Sequence, residues 1–219
     1  MPSPDQLVAA IVVAGGSGSR FGGHKQFVEL DGVAVAERSV AACRSVASRI
    51  VLVAPPGVTE TYGADAVVAG GTTRAASVRA GLDALDADTD VIVVHDAARP
   101  LASPRLFTGV VAALDDEGVD GAICALELTD TIKRVATVDG RRLVVETLDR
   151  GSLVAVQTPQ AFRGGILRAA HAGGDDATDD AGLVEAVGGI VTVVEGEPGN
   201  LKLTSPVDLA HAERLLEER

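Results

Sequence analysis

The segment Val13-Ala14-Gly15-Gly16-Ser17-Gly18-Ser19-Arg20-Phe21-Gly22-Gly23-His24-Lys25-Gln26 directly follows an apolar run that begins at Leu7. Glycines at the end of a buried strand let several backbone N–H groups converge on one phosphate, and they permit the close approach this needs. Arg20 and Lys25 add two fixed cations to the same loop. That combination suits a grip on a triphosphate. Two better-known glycine motifs do not fit. The dinucleotide pattern G-x-G-x-x-G meets Phe21 when begun at Gly16 and Arg20 when begun at Gly18. The P-loop needs Gly-Lys-Ser/Thr, whereas Gly23 is followed by His24-Lys25-Gln26. A plain strand-to-helix turn is the alternative for the glycines alone; the two cations at this spacing favour phosphate binding.

Three further segments carry chemistry. Val94-His95-Asp96-Ala97-Ala98-Arg99-Pro100 closes another apolar run. An Asp there can hold a divalent cation or its waters, Ala97 and Ala98 leave room for a ligand, and Arg99 offers a planar fork for a phosphate. The competing reading has Asp96 capping the next turn and Arg99 on the surface. His95 reads as a local hydrogen-bonding residue, because no second histidine lies near it, and His24, His171 and His211 are equally poor metal ligands. Gly70-Gly71-Thr72-Thr73-Arg74-Ala75-Ala76-Ser77-Val78-Arg79 is a second glycine turn entering a helix, suited to a base edge and ribose or to an anion. Its alternative is a capped helix start. Asn200-Leu201-Lys202-Leu203-Thr204 returns a cation just before the last helix.

Of 19 basic residues only Lys25, Lys133 and Lys202 are lysines, and each falls in a segment notable on other grounds. Lysine is the compact point charge of the pair. There is no nucleophilic serine elbow, catalytic cysteine arrangement or zinc spacing. That fits nucleotidyl or phosphoryl transfer, where positioning and charge neutralisation do most of the catalysis.

The elements that must position these residues alternate. Strands are expected at Leu7–Ala14, Arg49–Ala54, Ala66–Ala69, Val91–Val94 and Gly121–Leu126, with helices at Val33–Ala47, Thr73–Leu85 and Pro104–Glu117. Continuous Val/Ile runs suit parallel strands covered on both faces, and ligands then bind at the strands' carboxyl ends. Residues 131–149 depart from this pattern as two β-prone runs around Asp139-Gly140, expected to form an arm that packs on a second subunit. An edge hairpin on the parent sheet is the alternative. A short strand Val154–Val156, helices near Arg163–Ala170 and Asp179–Val187 and a strand Ile190–Val194 follow. The last helix starts with Ser205 as N-cap, Pro206 and Asp208.

A length of 219 residues fits one domain, 1–219, with 131–149 as its arm. Hydrophobic residues make up 47% and aromatics 2%, so the core must be aliphatic. The net charge of −12 argues against nucleic acid and anionic membranes as partners. No apolar run reaches the roughly 18 residues of a membrane span. Cys43 and Cys124, far apart in apolar surroundings, read as buried thiols of a reducing cytoplasm.

The ordered set of segments, joined by Asp130-Thr131-Ile132-Lys133, Asp149-Arg150, Thr158-Pro159-Gln160 and Thr178-Asp179-Asp180, resembles the 2-C-methyl-D-erythritol 4-phosphate cytidylyltransferases over nearly the whole chain. One departure is His24, where that family usually has proline before the lysine. The resemblance implies a Rossmann-like nucleotidyltransferase α/β fold with a mostly parallel twisted sheet and a protruding β-hairpin arm. It implies CTP and a sugar-alcohol phosphate as substrates, Mg²⁺ as cofactor and a homodimer through the arm. Arg20, Lys25 and Lys202 would be catalytic. Ala14, Gly15, Gly16, Gly18, Gly71, Thr72 and Ser77 would hold the nucleotide. Asp96, Ala97, Arg99 and Thr178 would meet the acceptor, Thr131 and Arg150 would reach it from the partner's arm, and Asp96 would lie near the metal. Ribitol-5-phosphate cytidylyltransferases share almost all these motifs; Ala98, where those relatives tend to carry Val, favours the methylerythritol enzyme. A non-catalytic nucleotide-binding protein on the same fold is the rival of another class.

Overall fold

Runs such as Val91-Ile92-Val93-Val94 have no polar face, so they are stable only with apolar cover on both sides. That cover is what the chain builds. The computed structural model describes residues 6–16 and 25–218. β1 (Val8–Val13) is followed by the short strands β2 (Glu29–Leu30) and β3 (Val33–Ala34), then α1 (Val35–Cys43). Next come β4 (Arg49–Ala54), β5 (Ala66–Ala69), α2 (Arg74–Asp83), β6 (Val91–Asp96), α3 (Pro104–Ala112) and β7 (Gly121–Glu127). The hairpin β8 (Lys133–Val138) and β9 (Arg141–Thr147) intervenes before β10 (Val154–Arg163), α4 (Gly164–Ala172), α5 (Asp180–Ala186), β11 (Val191–Glu195) and α6 (Pro206–Glu217).

Seven strands form one sheet in the order β11-β7-β10-β6-β1-β4-β5. All neighbours pair in parallel except β10, which is antiparallel to both β6 and β7. One face packs Ala10, Val12, Leu52 and Val93 under α1 and α3, where Phe107 is fully buried. The other packs Ile11, Val53, Ile92 and Phe162 under α2, α4 and α5. The chain therefore winds to both sides of β1, and the carboxyl ends of β1, β4 and β6 meet where the strand order reverses. That switch point is the expected ligand crevice of an open α/β sheet. Among the described residues no helix is long and apolar enough to cross a membrane.

Two expectations are corrected. The helix expected from Val33 starts at Val35 and ends at Cys43, because Asp31 and Gly32, at φ 51° and 71°, turn Val33–Ala34 back onto Glu29–Leu30 as a small hairpin. The strand expected only at Val154–Val156 runs on to Arg163, with a register shift between Val156 and Gln160 that accommodates Pro159. The turn between β8 and β9 is as expected: Asp139 and Gly140 both adopt positive φ, 51° and 74°, which suits a two-residue hairpin turn. This hairpin forms a separate two-stranded sheet, and nearly all its residues are exposed.

The start of α6 is held by one carboxylate. Asp208 accepts from the backbone N–H groups of Thr204 and Ser205, both at 2.7 Å, and from both their hydroxyls. The Thr204 hydroxyl and these amides, against a smaller effect of burial, bring its pKa down to about 2. A depressed carboxylate adds stability above its unfolded value, near 4, and loses it as pH falls toward 2. Asp208→Asn is therefore expected to cost about 1 kcal/mol at pH 7 and much less at pH 2, checked by thermal melts at both pH values.

Candidate active site

Asp96 ends β6 at the switch point, and its position is fixed from two directions. Its backbone N–H donates to Thr158 Oγ1 at 3.0 Å, and the Thr158 hydroxyl in turn donates to His95 Nδ1 at 3.1 Å. His95 Nε2 then carries the proton donated to the carbonyl of Arg99 at 3.2 Å, since a carbonyl can only accept. Burial pushes the His95 pKa down to about 4, outweighing the opposite pull of Asp96, so the ring is neutral at pH 7. His95 is the local hydrogen-bonding residue its sequence setting suggested.

The Asp96 carboxylate lies between two cations. Arg74 Nε donates to Oδ1 at 3.2 Å and Lys202 Nζ donates to Oδ2 at 2.6 Å. Burial opposes ionisation of Asp96, but the charges of Arg74 and Lys202 outweigh it and hold the carboxyl well below the usual range. Lys202 is brought there by bonds to the backbone on either side of it: Leu203 N–H donates to Ala98 O at 2.8 Å, and the Arg99 side chain donates through Nη1 to Asn200 O at 2.7 Å. Asn200 is itself buried and donates to Gln157 Oε1 and Thr158 O. The segment 200–204 thus lies alongside 94–100.

The two glycine turns also converge. A Cβ at Gly15 would stand 3.2 Å from Ser77 Oγ, and one at Gly71 would meet the Ala76 Cβ at 2.4 Å. Gly71 therefore has to be glycine for the turn to close on α2. Thr73 caps that helix by accepting from Ala76 N–H at 3.1 Å, and the Ser77 hydroxyl donates to Thr73 O at 2.9 Å. The segment is a capped helix start, and its glycine turn packs against the first glycine loop through Ser77 and Gly15. Ala14 is anchored by donating to Val53 O at 2.7 Å, and Ala97 by donating to Val13 O at 3.0 Å. Buried Gln26 closes the first loop, its Nε2 donating to Ala14 O at 2.6 Å and to Gly16 O at 3.3 Å. Gly18, Arg20 and the side chain of Lys25 lie outside the described residues.

The structure thus brings together Ala14, Gly15 and Ser77 at one place, and Asp96, Arg99 and Lys202 at another along the same sheet edge. Gly16 and Thr72 lie exposed in the same two turns. Thr178 is exposed just before Asp179, the N-cap of α5. Thr131 and Arg150 sit at the foot of the hairpin, where Arg150 Nη1 donates to Thr129 O of its own chain. Among the described residues, the hydrogen bonds joining Asp96, Arg99 and Lys202 do not extend to Thr131, Arg150 or Thr178. Arg74, Thr158, Asp180 and Asn200 carry the site's charge and geometry without having been singled out by sequence. The one available signal was that Arg74, Thr158, Asp180 and Asn200 lie in segments chosen for other residues.

Neither cysteine offers a nucleophile at neutral pH: burial pushes Cys124 up to about 12 and Cys43 higher still. A depression of about 490 Å³ opens at the opposite edge of the sheet, but Asp88, Asp90 and Asp115 line it. Its Arg163 is occupied by the carbonyls of Val119 and Leu114, so it does not suit a phosphate.

A mostly parallel sheet with a glycine loop after its first strand, a second glycine turn beside it and a carboxylate flanked by cations at the switch point defines a nucleotidyltransferase-type α/β fold. The family model IspD: 2-C-methyl-D-erythritol 4-phosphate cytidylyltransferase matches residues 8–218. The 2-C-methyl-D-erythritol 4-phosphate cytidylyltransferase of Frankia casuarinae is 46% identical, covering 99% of this chain and 84% of that protein. The bifunctional enzyme IspD/IspF of an Anaeromyxobacter species is also 46% identical, over 97% of this chain, which spans only 58% of that longer protein. The crystal structure of the Thermus thermophilus 2-C-methyl-D-erythritol 4-phosphate cytidylyltransferase superimposes with a TM-score of 0.80 at 35% identity, covering 97% of this chain and 99% of that one. The chain belongs to the IspD family of 2-C-methyl-D-erythritol 4-phosphate cytidylyltransferases.

Proposed function

We propose that this protein transfers the cytidylyl group of CTP to 2-C-methyl-D-erythritol 4-phosphate, releasing pyrophosphate, as a step in isoprenoid precursor synthesis. The observation that carries the reading is the pairing of Lys202 and Arg74 on Asp96 beside the two glycine turns. An oxygen of the acceptor phosphate attacks the α-phosphorus of CTP, the bond to the β-phosphate oxygen breaks in line, and pyrophosphate leaves with the bonding electrons. The acceptor phosphate is already ionised at neutral pH, so no strong general base is required. The obstacle is repulsion between anions, and Arg20, Lys25 and Lys202 answer it. Ala14, Gly15, Gly16, Gly18, Gly71, Thr72 and Ser77 would hold the nucleotide, while Asp96, Ala97, Arg99 and Thr178 would meet the acceptor.

The residues present also suit a magnesium ion carried by the triphosphate. Among the described residues no group of three or more His, Cys, Asp or Glu side chains could build a protein cage. Mg²⁺ commonly needs only one or two carboxylates, with substrate phosphates and waters completing its shell. Asp96 can supply one once Lys202 leaves its Oδ2. The ion would neutralise phosphate oxygens and orient the triphosphate.

The test compares CTP turnover with methylerythritol 4-phosphate and with ribitol 5-phosphate, read as pyrophosphate release. Preference for the former is expected, and preference for ribitol 5-phosphate would overturn the acceptor assignment. CTP binding with no pyrophosphate from either acceptor would sink the enzyme reading.

The 131–149 arm is assigned to a homodimer, in which Thr131 and Arg150 would reach the partner's acceptor site. Leu143, Val144 and Val145 are about half exposed or more, and a lone two-stranded hairpin is marginal in water. Light scattering should therefore give a dimer, and Val144→Glu should shift it to monomer with at least about tenfold lower kcat/KM, as expected for a charge placed in an apolar contact. A wild-type monomer with full activity would refute the arm's role. The two buried, reduced cysteines agree with a cytoplasmic location.

A further inference from the structure

The chemistry proposed above uses Asp96 and Lys202; it leaves Arg74 unexplained. Arg74 is the first residue of α2, and its guanidinium bridges two carboxylates. Nε donates to Asp96 Oδ1 at 3.2 Å and Nη1 to Asp180 Oδ2 at 2.7 Å. Asp180 opens α5 and is fully enclosed; its other oxygen accepts from His171 Nε2 of α4 at 3.0 Å. A relay of four side chains thus runs from the sheet edge into the apolar layer beneath it.

The two cations on Asp96 differ in freedom. The Lys202 side chain is 44% exposed and, among the described residues, makes one ion pair, whereas Arg74 is 21% exposed and makes two. An ammonium on a flexible stem can turn to an arriving phosphate, while a planar fork is fixed by its partners. If Arg74 moved, the buried Asp180 carboxylate would lose the guanidinium paired with it, which is strongly unfavourable. If Lys202 moves, Asp96 keeps Arg74 and stays compensated.

We propose that Arg74 is a positioning residue: it holds the Asp96 carboxylate in place while Lys202 moves from Asp96 to the substrate phosphate, and Asp180 with His171 holds Arg74. The exchange releases Asp96 Oδ2 for an acceptor hydroxyl or the cation at the moment a phosphate takes Lys202. Arg74 Nη2 is buried and has no hydrogen-bond partner among the described residues, so the guanidinium is oriented through Nε and Nη1 on the two carboxylates. This inference rests on the assignment of Asp96 and Lys202 to the reacting site.

The test measures steady-state kinetics, CTP binding by calorimetry and thermal melting for Arg74→Lys, Arg74→Met, Asp180→Asn, Asp96→Asn and the double variant Arg74→Met/Asp96→Asn. Lysine keeps the charge but cannot span both carboxylates. Arg74→Lys is expected to lose about 10²-fold in kcat, with CTP binding within about threefold of wild type, the pattern of misplaced catalytic groups. Asp180→Asn should lose about tenfold in kcat by loosening Arg74. Because Arg74 acts through Asp96, the double variant should be no slower than Asp96→Asn alone. Multiplying losses, or wild-type kcat in Arg74→Lys, would overturn the proposal. If Arg74→Met does not fold, Arg74→Lys and Asp180→Asn decide: unchanged kcat with only a lower melting temperature assigns Arg74 a purely structural role. Full activity in Asp96→Asn would instead refute the site assignment itself, whereas an impaired Asp96→Asn with a normal Arg74→Lys would refute only the positioning role.

Discussion

Lys202→Ala is expected to lower kcat by about 10²–10³-fold while leaving the melting temperature nearly unchanged, the loss typical of deleting one preorganised charge from a reacting centre. The separation of the two effects follows from how the segment is held. Leu203 N–H on Ala98 O and Arg99 on Asn200 O fix the backbone of 200–203 without using the lysine side chain. Asp96, deprived of Nζ, retains Arg74 at 3.2 Å and the Thr158 hydroxyl on its amide. The folded state therefore loses one of two ion pairs on a carboxylate that keeps its Arg74 partner. In the proposed reaction the transition state loses a cation beside the attacking and α-phosphates. Lys202→Arg should restore only part of the rate, because the guanidinium is larger and its donors are set in a rigid fork. Pyrophosphate release and a circular-dichroism melt on the same preparations check both halves. A normal kcat with only a raised KM would place Lys202 in ground-state binding instead.

What the chain discloses before folding depends on whether a residue's partners are local. The parallel strands were legible because burial on both faces demands unbroken apolar runs, and Val91–Val94 and Arg49–Ala54 supply them. The site segments were legible because each ends such a run or starts a capped helix, and parallel topology gathers those ends on one edge. β10 was not. Its centre reads Gln157-Thr158-Pro159-Gln160, polar residues and a proline where a strand core should be apolar. Those side chains are buried because they are spent on the site: Thr158 on His95 and the Asp96 amide, Gln157 on Asn200 and the 197 backbone. The Arg74–Asp180 pair spans 106 positions, and each member alone looks like an ordinary first-turn residue of a helix. His171 carried no signal for the same reason: its importance lies in a carboxylate nine residues on, itself meaningful only through Arg74. Local rules place the backbone; the charge balance of a buried network appears only after the elements are assembled.

Lys25→Ala should reduce turnover by about 10²–10³-fold with an unchanged circular-dichroism spectrum, a loss comparable with that from removing one charge-stabilising donor. The backbone at this position begins the short helical turn Lys25–Phe27, and the next residue anchors it. Gln26 reaches back to the carbonyls of Ala14 and Gly16, so an amide side chain ties this turn to the end of β1. Removing the ammonium therefore leaves the Gln26 anchor intact and subtracts one charge from the proposed triphosphate grip. Pyrophosphate gains negative charge only as the bond to the α-phosphorus breaks, so the loss should fall mainly on kcat and less on CTP binding. The same variant separates the enzyme from a nucleotide-binding protein on this fold. In a sensor, Lys25 would matter for affinity alone, and calorimetry would show weakened CTP binding with no turnover to lose. In a cytidylyltransferase the affinity change is the smaller of the two effects.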